Sequence, residues 1–195
     1  MTVTIVEAGA PVLRQRAVEV APEAIATSDF AELVAAMTEA MRAAPGVGLA
    51  APQIGVGQRV IVLEDRADLI ARLTAEEQRE RERMPFPLQV IVNPQLRTVG
   101  DERTVFFEGC LSVPGYVALV ERHREVEVTG LDAQGAALTW RVSGWPSRIL
   151  QHEVDHLDGI LYVDRMITRS FVAEAQARAR FTGRPIAEIR DLLGL

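Results

Sequence analysis

At 195 residues and 48% hydrophobic content the chain has the size of one domain and enough apolar material for one core, so a second folding unit is not expected. A formal charge of −6 argues against direct nucleic-acid binding, because a phosphate-binding surface needs clustered Lys and Arg. No apolar run approaches the roughly 20 residues that span a bilayer, and the start MTVTIVEAGAPVLRQ has neither secretory nor transit-peptide character, so the expectation is a cytoplasmic protein with no membrane partner.

Residues 28–44 predict a helix, with Ser28 or Asp29 as cap and Phe30, Leu33, Val34, Met37 and Met41 recurring at three- and four-residue steps before Pro45-Gly46. The following GVGLAAPQIGVG is too rich in glycine for a helix and reads as a functional loop or irregular strand that other backbone can approach closely. RVIVLE (59–64) and LQVIVNP (88–94) predict strands, the second stopped by Asn93-Pro94. Between them, residues 66–85 resemble a charged insertion, and EEQRERER (76–83) predicts a solvated helix face or a mobile excursion.

From 96 to 142 the pattern is β, with stretches near 103–107 and 117–121, then REVEVTG and ALTWRV joined through the turn LDAQG, which predicts an antiparallel sheet. Ser143-Gly144-Trp145-Pro146 supplies a helix start, with Ser143 as candidate cap, and Gly159 a stop. Two more helical patterns, TRSFVAEAQARARF and PIAEIRDLL, finish the chain. The expected fold is α+β: antiparallel β-sheets packed around the helix that starts near 145, with further helices at the N- and C-terminal ends.

That helix carries QHEVDHLDG. His152 and His156 lie one turn apart on one face, so both imidazoles can reach a single divalent metal while Glu153 stands beside them to handle a proton. Ile149, His152, Glu153 and His156 form one stripe that faces inward, and buried imidazoles need partners. The single cysteine, Cys110 in EGCLS, cannot form an internal disulfide and is the candidate third ligand; three protein ligands leave a position open, as catalytic sites require. HExxH also arises by chance in surface helices, and a lone Cys is more often an inert core thiol. Two other readings therefore stand beside the hydrolase: a zinc peptidase taking Glu174 as third ligand, since the third-histidine position holds Tyr162, and a non-enzymatic module whose metal only holds helix to sheet. His123 is expected to be an exposed strand histidine.

GVGLAAPQ (46–53), EGCLS (108–112) and QHEVDHLDG (151–159) together resemble the three signature motifs of the peptide deformylase family, in order, within a resemblance running from about residue 11 to 167. The SGWPSRILQHE form of the third motif is similar to organellar-type and some bacterial members, and a bacterial protein is expected because no transit peptide precedes it. The resemblance implies removal of the formyl group from N-formylmethionyl nascent peptides, with formate released and transient contact with the ribosome. It implies one metal ion per chain, Fe(II) with Zn, Ni or Co able to substitute, held by Cys110, His152 and His156. Glu153 is implied as acid–base group, and the Gln53 side chain and Leu111 backbone N–H as oxyanion donors. Gly46, Val47 and Gly48 would pair with the extended substrate, Ile149 and Trp145 would line the methionine pocket, and Glu108 would bind a nearby Arg and hold the cysteine loop.

Overall fold

The strand signal in VIVL is apolar at every position because both of its faces are covered. Val60, Val62 and Val92 point into one core with Phe30, Met37 and Met41, whereas Ile61, Leu63 and Ile91 point into another with Ile149, Leu150 and Leu157. Side chains that alternate across a strand thus reach a helix on either side of one sheet.

The structure, a computed structural model, describes residues 3–195. In chain order it contains α1 (Pro22–Ile25), α2 (Ser28–Ala43), β1 (Gly48–Ala50), β2 (Val60–Asp65), α3 (Ala67–Ile70), α4 (Ala75–Glu80), β3 (Phe86–Thr98) and β4 (Arg103–Cys110). There follow β5 (Val113–His123), β6 (Glu125–Leu131), β7 (Ala137–Ser143), α5 (Trp145–Leu157), β8 (Val172–Ala173), α6 (Glu174–Phe181) and α7 (Ile186–Leu193). The strands form two antiparallel sheets, one ordered β1-β2-β3-β6-β7 and the other β4-β5-β8. The α+β fold with antiparallel sheets around α5 is as expected, but the strands between 96 and 142 divide between two sheets: β3 passes over its chain neighbour β4 to pair with β6. Among the described residues no helix is long and apolar enough to cross a membrane.

Several local expectations are corrected. The helix from Ser28 is capped by Thr27, whose hydroxyl accepts the Phe30 N–H at 3.3 Å, not by Ser28 or Asp29. Asn93-Pro94 does not stop its strand. Asn93 takes a left-handed φ of 51°, the register slips between Val92 and Gln95, and pairing continues to Thr98, so the pair makes a bulge. Asn93 is held there by its side chain, which accepts the Val20 N–H and donates to the Val20 carbonyl at 2.8 and 2.9 Å. TRSFVAEAQARARF becomes helical only from Glu174, its first part forming a 3₁₀ turn and β8.

The charged segment 76–83 is helical as far as Glu80 with no buried residue, as expected of a solvated helix face, but its last residues are held against the body of the protein. Arg83 forms a two-point ion pair with buried Asp65 (2.7 and 3.0 Å), and the guanidinium groups of Arg81 and Arg83 lie 5.3 and 5.2 Å from the Trp145 ring. Their stems cover the start of α5 while the charges stack on the indole. Gly144, at φ 66° and without a side-chain cap from Ser143, makes this approach possible: a Cβ there would stand 3.1 and 3.2 Å from the Glu82 and Arg81 carbonyl oxygens.

His123 is half-buried at the end of β5, not exposed. Its backbone N–H donates to the Gln151 side chain at 3.1 Å and its carbonyl accepts from Ser147 and Gln151 at 3.0 and 2.8 Å, which ties the small sheet to α5.

Candidate functional site

Three segments remote in sequence meet beside α5. The smaller sheet contributes Cys110 at the end of β4, where the register with β5 slips between Gly109 and Cys110; such a bulge re-aims a side chain. α5 contributes His152, Glu153 and His156, and the larger sheet contributes β1 and the 3₁₀ turn Ala51–Ile54 that carries Gln53. Ligand atoms of Cys110, His152 and His156 all lie within 4.8 Å of one another, and Cys110 Sγ is 3.2 Å from His156 Nε2. One soft sulfur and two imidazole nitrogens at this spacing fit a divalent transition metal.

Glu174 does not join the cluster. It sits on the wall of the cavity and pairs with Arg178 on the next helical turn, which removes the third ligand that a peptidase reading needed. Tyr162, at the place of a third histidine, stacks on His152 with centroids 6.3 Å apart and donates its hydroxyl to the Tyr116 carbonyl at 2.9 Å.

The first imidazole is oriented from behind. Glu108 Oε2 meets His152 Nδ1 at 3.0 Å, which leaves Nε2 for the cluster, and the same carboxylate takes Arg122 through two bonds of 3.0 and 2.9 Å and Arg148 at 2.6 Å. Arg122 also reaches Asp155, which Arg165 holds from outside at 2.6 and 2.7 Å. Sequence reasoning anticipated a single Arg for Glu108; the pairing is with two, in a buried network. Burial opposes the charge on Glu108, but the His152 hydrogen bond and the Arg122 charge outweigh it and hold its carboxyl well below the usual carboxylate range. Removing one member of such a network strands the others: Glu108→Ala is expected to lower stability by about 3–5 kcal/mol because Arg148 loses its carboxylate while remaining buried. Urea unfolding would read this as a lower midpoint at unchanged slope.

The two histidines are driven apart. Burial disfavours a charge on His152, yet hydrogen bonds to Cys110 and Glu108 and the negative charges of Cys110 and Glu153 raise it well above the ordinary value. Burial, reinforced by the His152 and Arg122 charges, pushes His156 well below it. Glu153 is pushed up to about 7, mainly by burial, with His152 partly offsetting and Glu108 adding to the rise. Its Oε2 is buried with no partner. A carboxyl poised near neutrality with a free oxygen suits taking up and returning a proton.

Gln53 is fixed at both ends of its amide. Oε1 accepts the Ala50 N–H at 2.8 Å, and Nε2 lies 3.5 Å from Cys110 Sγ and 3.3 Å from the hydroxyl of fully buried Ser112. Gly48 faces Glu153 so closely that a Cβ would stand 2.8 Å from the carboxylate Cδ. Gly48→Ala is therefore expected to displace Glu153 and cut turnover by more than about tenfold while metal content stays at the parent level; elemental analysis beside a rate measurement checks both halves.

A cavity of about 560 Å³ joins these groups. Gly46, Val47, Gly48, Gln53, Cys110, Leu111, Trp145, Ile149, His152 and Glu153 all line it, so nearly every sequence-predicted site residue is brought to one place; His156 lies behind them. Arg122, Arg148 and Asp155 were missed. An Asp inside QHEVDH was the one signal that a second polar face of α5 points inward.

Comparison with known proteins agrees with this geometry. The Polypeptide deformylase family model matches residues 2–171. The chloroplastic peptide deformylase 1A of Solanum lycopersicum is 52% identical over 167 residues, which cover 86% of this chain and 60% of the relative. Peptide deformylase 1 of Streptomyces coelicolor is 50% identical over 171 residues, covering 88% and 76% respectively. The chain thus spans about 60% of the plant relative's length and three quarters of the bacterial one's. Among solved structures, the Met-Ala-Ser-bound class I type b peptide deformylase from Acinetobacter baumannii aligns with a TM-score of 0.75 at 34% identity, over 85% of this chain and 100% of that one. With the family model matched over most of its length and all three motifs folded into one cavity, this chain belongs to the polypeptide deformylase family.

Proposed function

We propose that the chain is a metal-dependent hydrolase that removes the N-formyl group from formylmethionine at the start of new polypeptides, consuming one water and releasing formate and a free amine. The observation that carries this reading is the meeting, in one cavity, of the Cys110, His152 and His156 cluster with a Glu153 carboxyl poised near neutrality and an oriented Gln53 amide.

Cys110, His152 and His156 would hold one metal ion, and the buried, partnerless oxygen of Glu153 beside them fits a site built to receive a polar guest. Such an ion supplies Lewis acidity at the formyl group and makes water acidic enough to attack near neutral pH. We assign it as Fe(II) on the family resemblance, with Zn, Ni or Co able to take the same donors; raw affinity runs higher for zinc, so iron would reflect supply.

The chain's own groups do the rest. Glu153 accepts the attacking water's proton and returns it to the departing amine. Gln53 Nε2 and the Leu111 N–H face the carbonyl oxygen as it gains charge, each such donor being worth about 3–4 kcal/mol of barrier. β1 is an edge strand whose inner side is paired to β2, so an extended peptide can add along Gly46, Val47 and Gly48. Ile149 and Trp145 then bound the pocket for the methionine side chain. We place the enzyme in the cytoplasm, acting as one catalytic unit over residues 1–195 on chains met through transient contact with the ribosome.

A formate-release assay on formyl-Met-Ala-Ser, beside the same peptide with an N-acetyl group and an internal-amide substrate, tests this. Formate from the first alone is expected. Cleavage of internal amides without formate would return the peptidase reading, and bound metal with neither reaction would return the structural module.

A further inference from the structure

A second cavity, of about 500 Å³, opens beside the first, between the 66–85 segment and helices α6 and α7. The two share Pro45, Phe107, Val117, Glu174 and Arg178 in their walls, so a peptide seated in the first can pass a side chain into the second. The new cavity is rich in guanidinium groups, and most of its charges are already committed. Arg83 pairs with Asp65, Arg178 with Glu174 and Arg184 with Glu188. Of the acids, Glu77 accepts the Thr74 N–H at 2.8 Å and Glu80 the Ile186 N–H at 2.9 Å.

Two arginines on this wall, Arg72 and Arg81, make no ion pair among the described residues. Arg81 is the more telling. It is half-buried, its Nε is buried with no hydrogen-bond partner, and its guanidinium stacks on the ring of Trp145, which lines the first cavity. Burial opposes its charge, and although Glu77 relieves this, Arg83 works against the relief and Glu80 adds only a little more, so the balance still disfavours the charge. A partly desolvated guanidinium without an ion-pair partner gains from an anion that completes it, and its flat fork matches a carboxylate. The anionic groups a peptide substrate carries are the side chains of Asp and Glu.

We propose that this second cavity is a subsite for an acidic side chain of the substrate, a few residues beyond its formylated methionine, with Arg81 and Arg72 as the counter-charges. The inference rests on the deformylase reading of the adjacent site. It makes the 66–85 segment, through Arg72 and Arg81, a determinant of which nascent chains are processed first.

The test uses the holoenzyme and formyl-Met-Ala peptides with amidated C-termini, so that the side chain is the only carboxylate. Asp or Glu is compared with Asn or Gln at the third, fourth or fifth residue. At one of these positions the acid is expected to lower KM by about tenfold with kcat little changed, as a charge-assisted hydrogen bond would, and the gain should shrink as salt rises. Arg72→Gln and Arg81→Gln should each reduce the preference, the double variant should abolish it, and Arg81→Lys should restore part of it. Turnover of neutral formyl-Met-Ala-amide by Arg72→Gln should match the parent. Equal KM for acidic and amide peptides at all three positions, or a preference that survives in the double variant, would overturn the proposal. Calorimetry of the holoenzyme with the corresponding unformylated peptides, which carry no formyl group to hydrolyse, reads binding apart from turnover. Tighter binding of the acidic peptides without formate release from their formylated counterparts would support this subsite while sinking the deformylase reading.

Discussion

Purified Cys110→Ser protein is expected to have lost its metal, with affinity down by more than about 100-fold, since disturbing even the groups behind a ligand costs 10–100-fold. Serine cannot supply a soft anion at neutral pH. The fold should survive. Cys110 is only half-buried, and its sulfur accepts from the Ser112 N–H at 3.4 Å and the Gln53 amide at 3.5 Å, roles a hydroxyl oxygen can fill. Elemental analysis and a thermal melt separate the two effects: metal falls, the apo-protein Tm barely moves. Equal metal in variant and parent would strike Cys110 from the ligand set. Glu174→Ala is the matched control and should keep its metal, because Glu174 pairs with Arg178 and lies outside the cluster.

Glu153→Ala should do the reverse. All three ligands remain, so metal stays bound, while loss of the proton carrier lowers kcat by about 10²–10⁴-fold. The variant should also be at least as stable as the parent: the wild-type carboxyl is 4% exposed with one oxygen unpartnered, a local arrangement that favours function over stability. Near-normal formate release by metal-loaded Glu153→Ala would remove the proton-carrying role.

What could be read from the residues, and what could not, divides along physical lines. The helix that carries the histidines was legible because its stripe at three- and four-residue steps, Pro146 and Gly159 all agree. The meeting of Cys110, His152 and His156 was legible because a chain with one cysteine offers few ways to complete a cluster begun by two histidines. The strand through Asn93-Pro94 was misjudged because a local rule lost to a tertiary one: Val20, far away in sequence, supplies both hydrogen bonds that let Asn93 adopt a positive φ. Arg122 and Arg148 were invisible as site residues because a charge on a strand or helix reads as solvent-facing until its neighbours are known. The end of the 76–83 run misled for the same reason, Arg81 and Arg83 finding Trp145 and Asp65 rather than water.

The passage of β3 over β4 to reach β6 sets an order on assembly. The β4-β5 hairpin is local and can close as soon as its residues are available, whereas the larger sheet must wait for β6 and β7 and close a loop across that finished hairpin. Cys110 is therefore in place on an early unit, and the histidines arrive on the last of the elements that build the centre. During synthesis such a chain would hold its thiol exposed for the time taken to make and dock some forty further residues, an interval in which the unfinished fold leaves the sulfur open to oxidation.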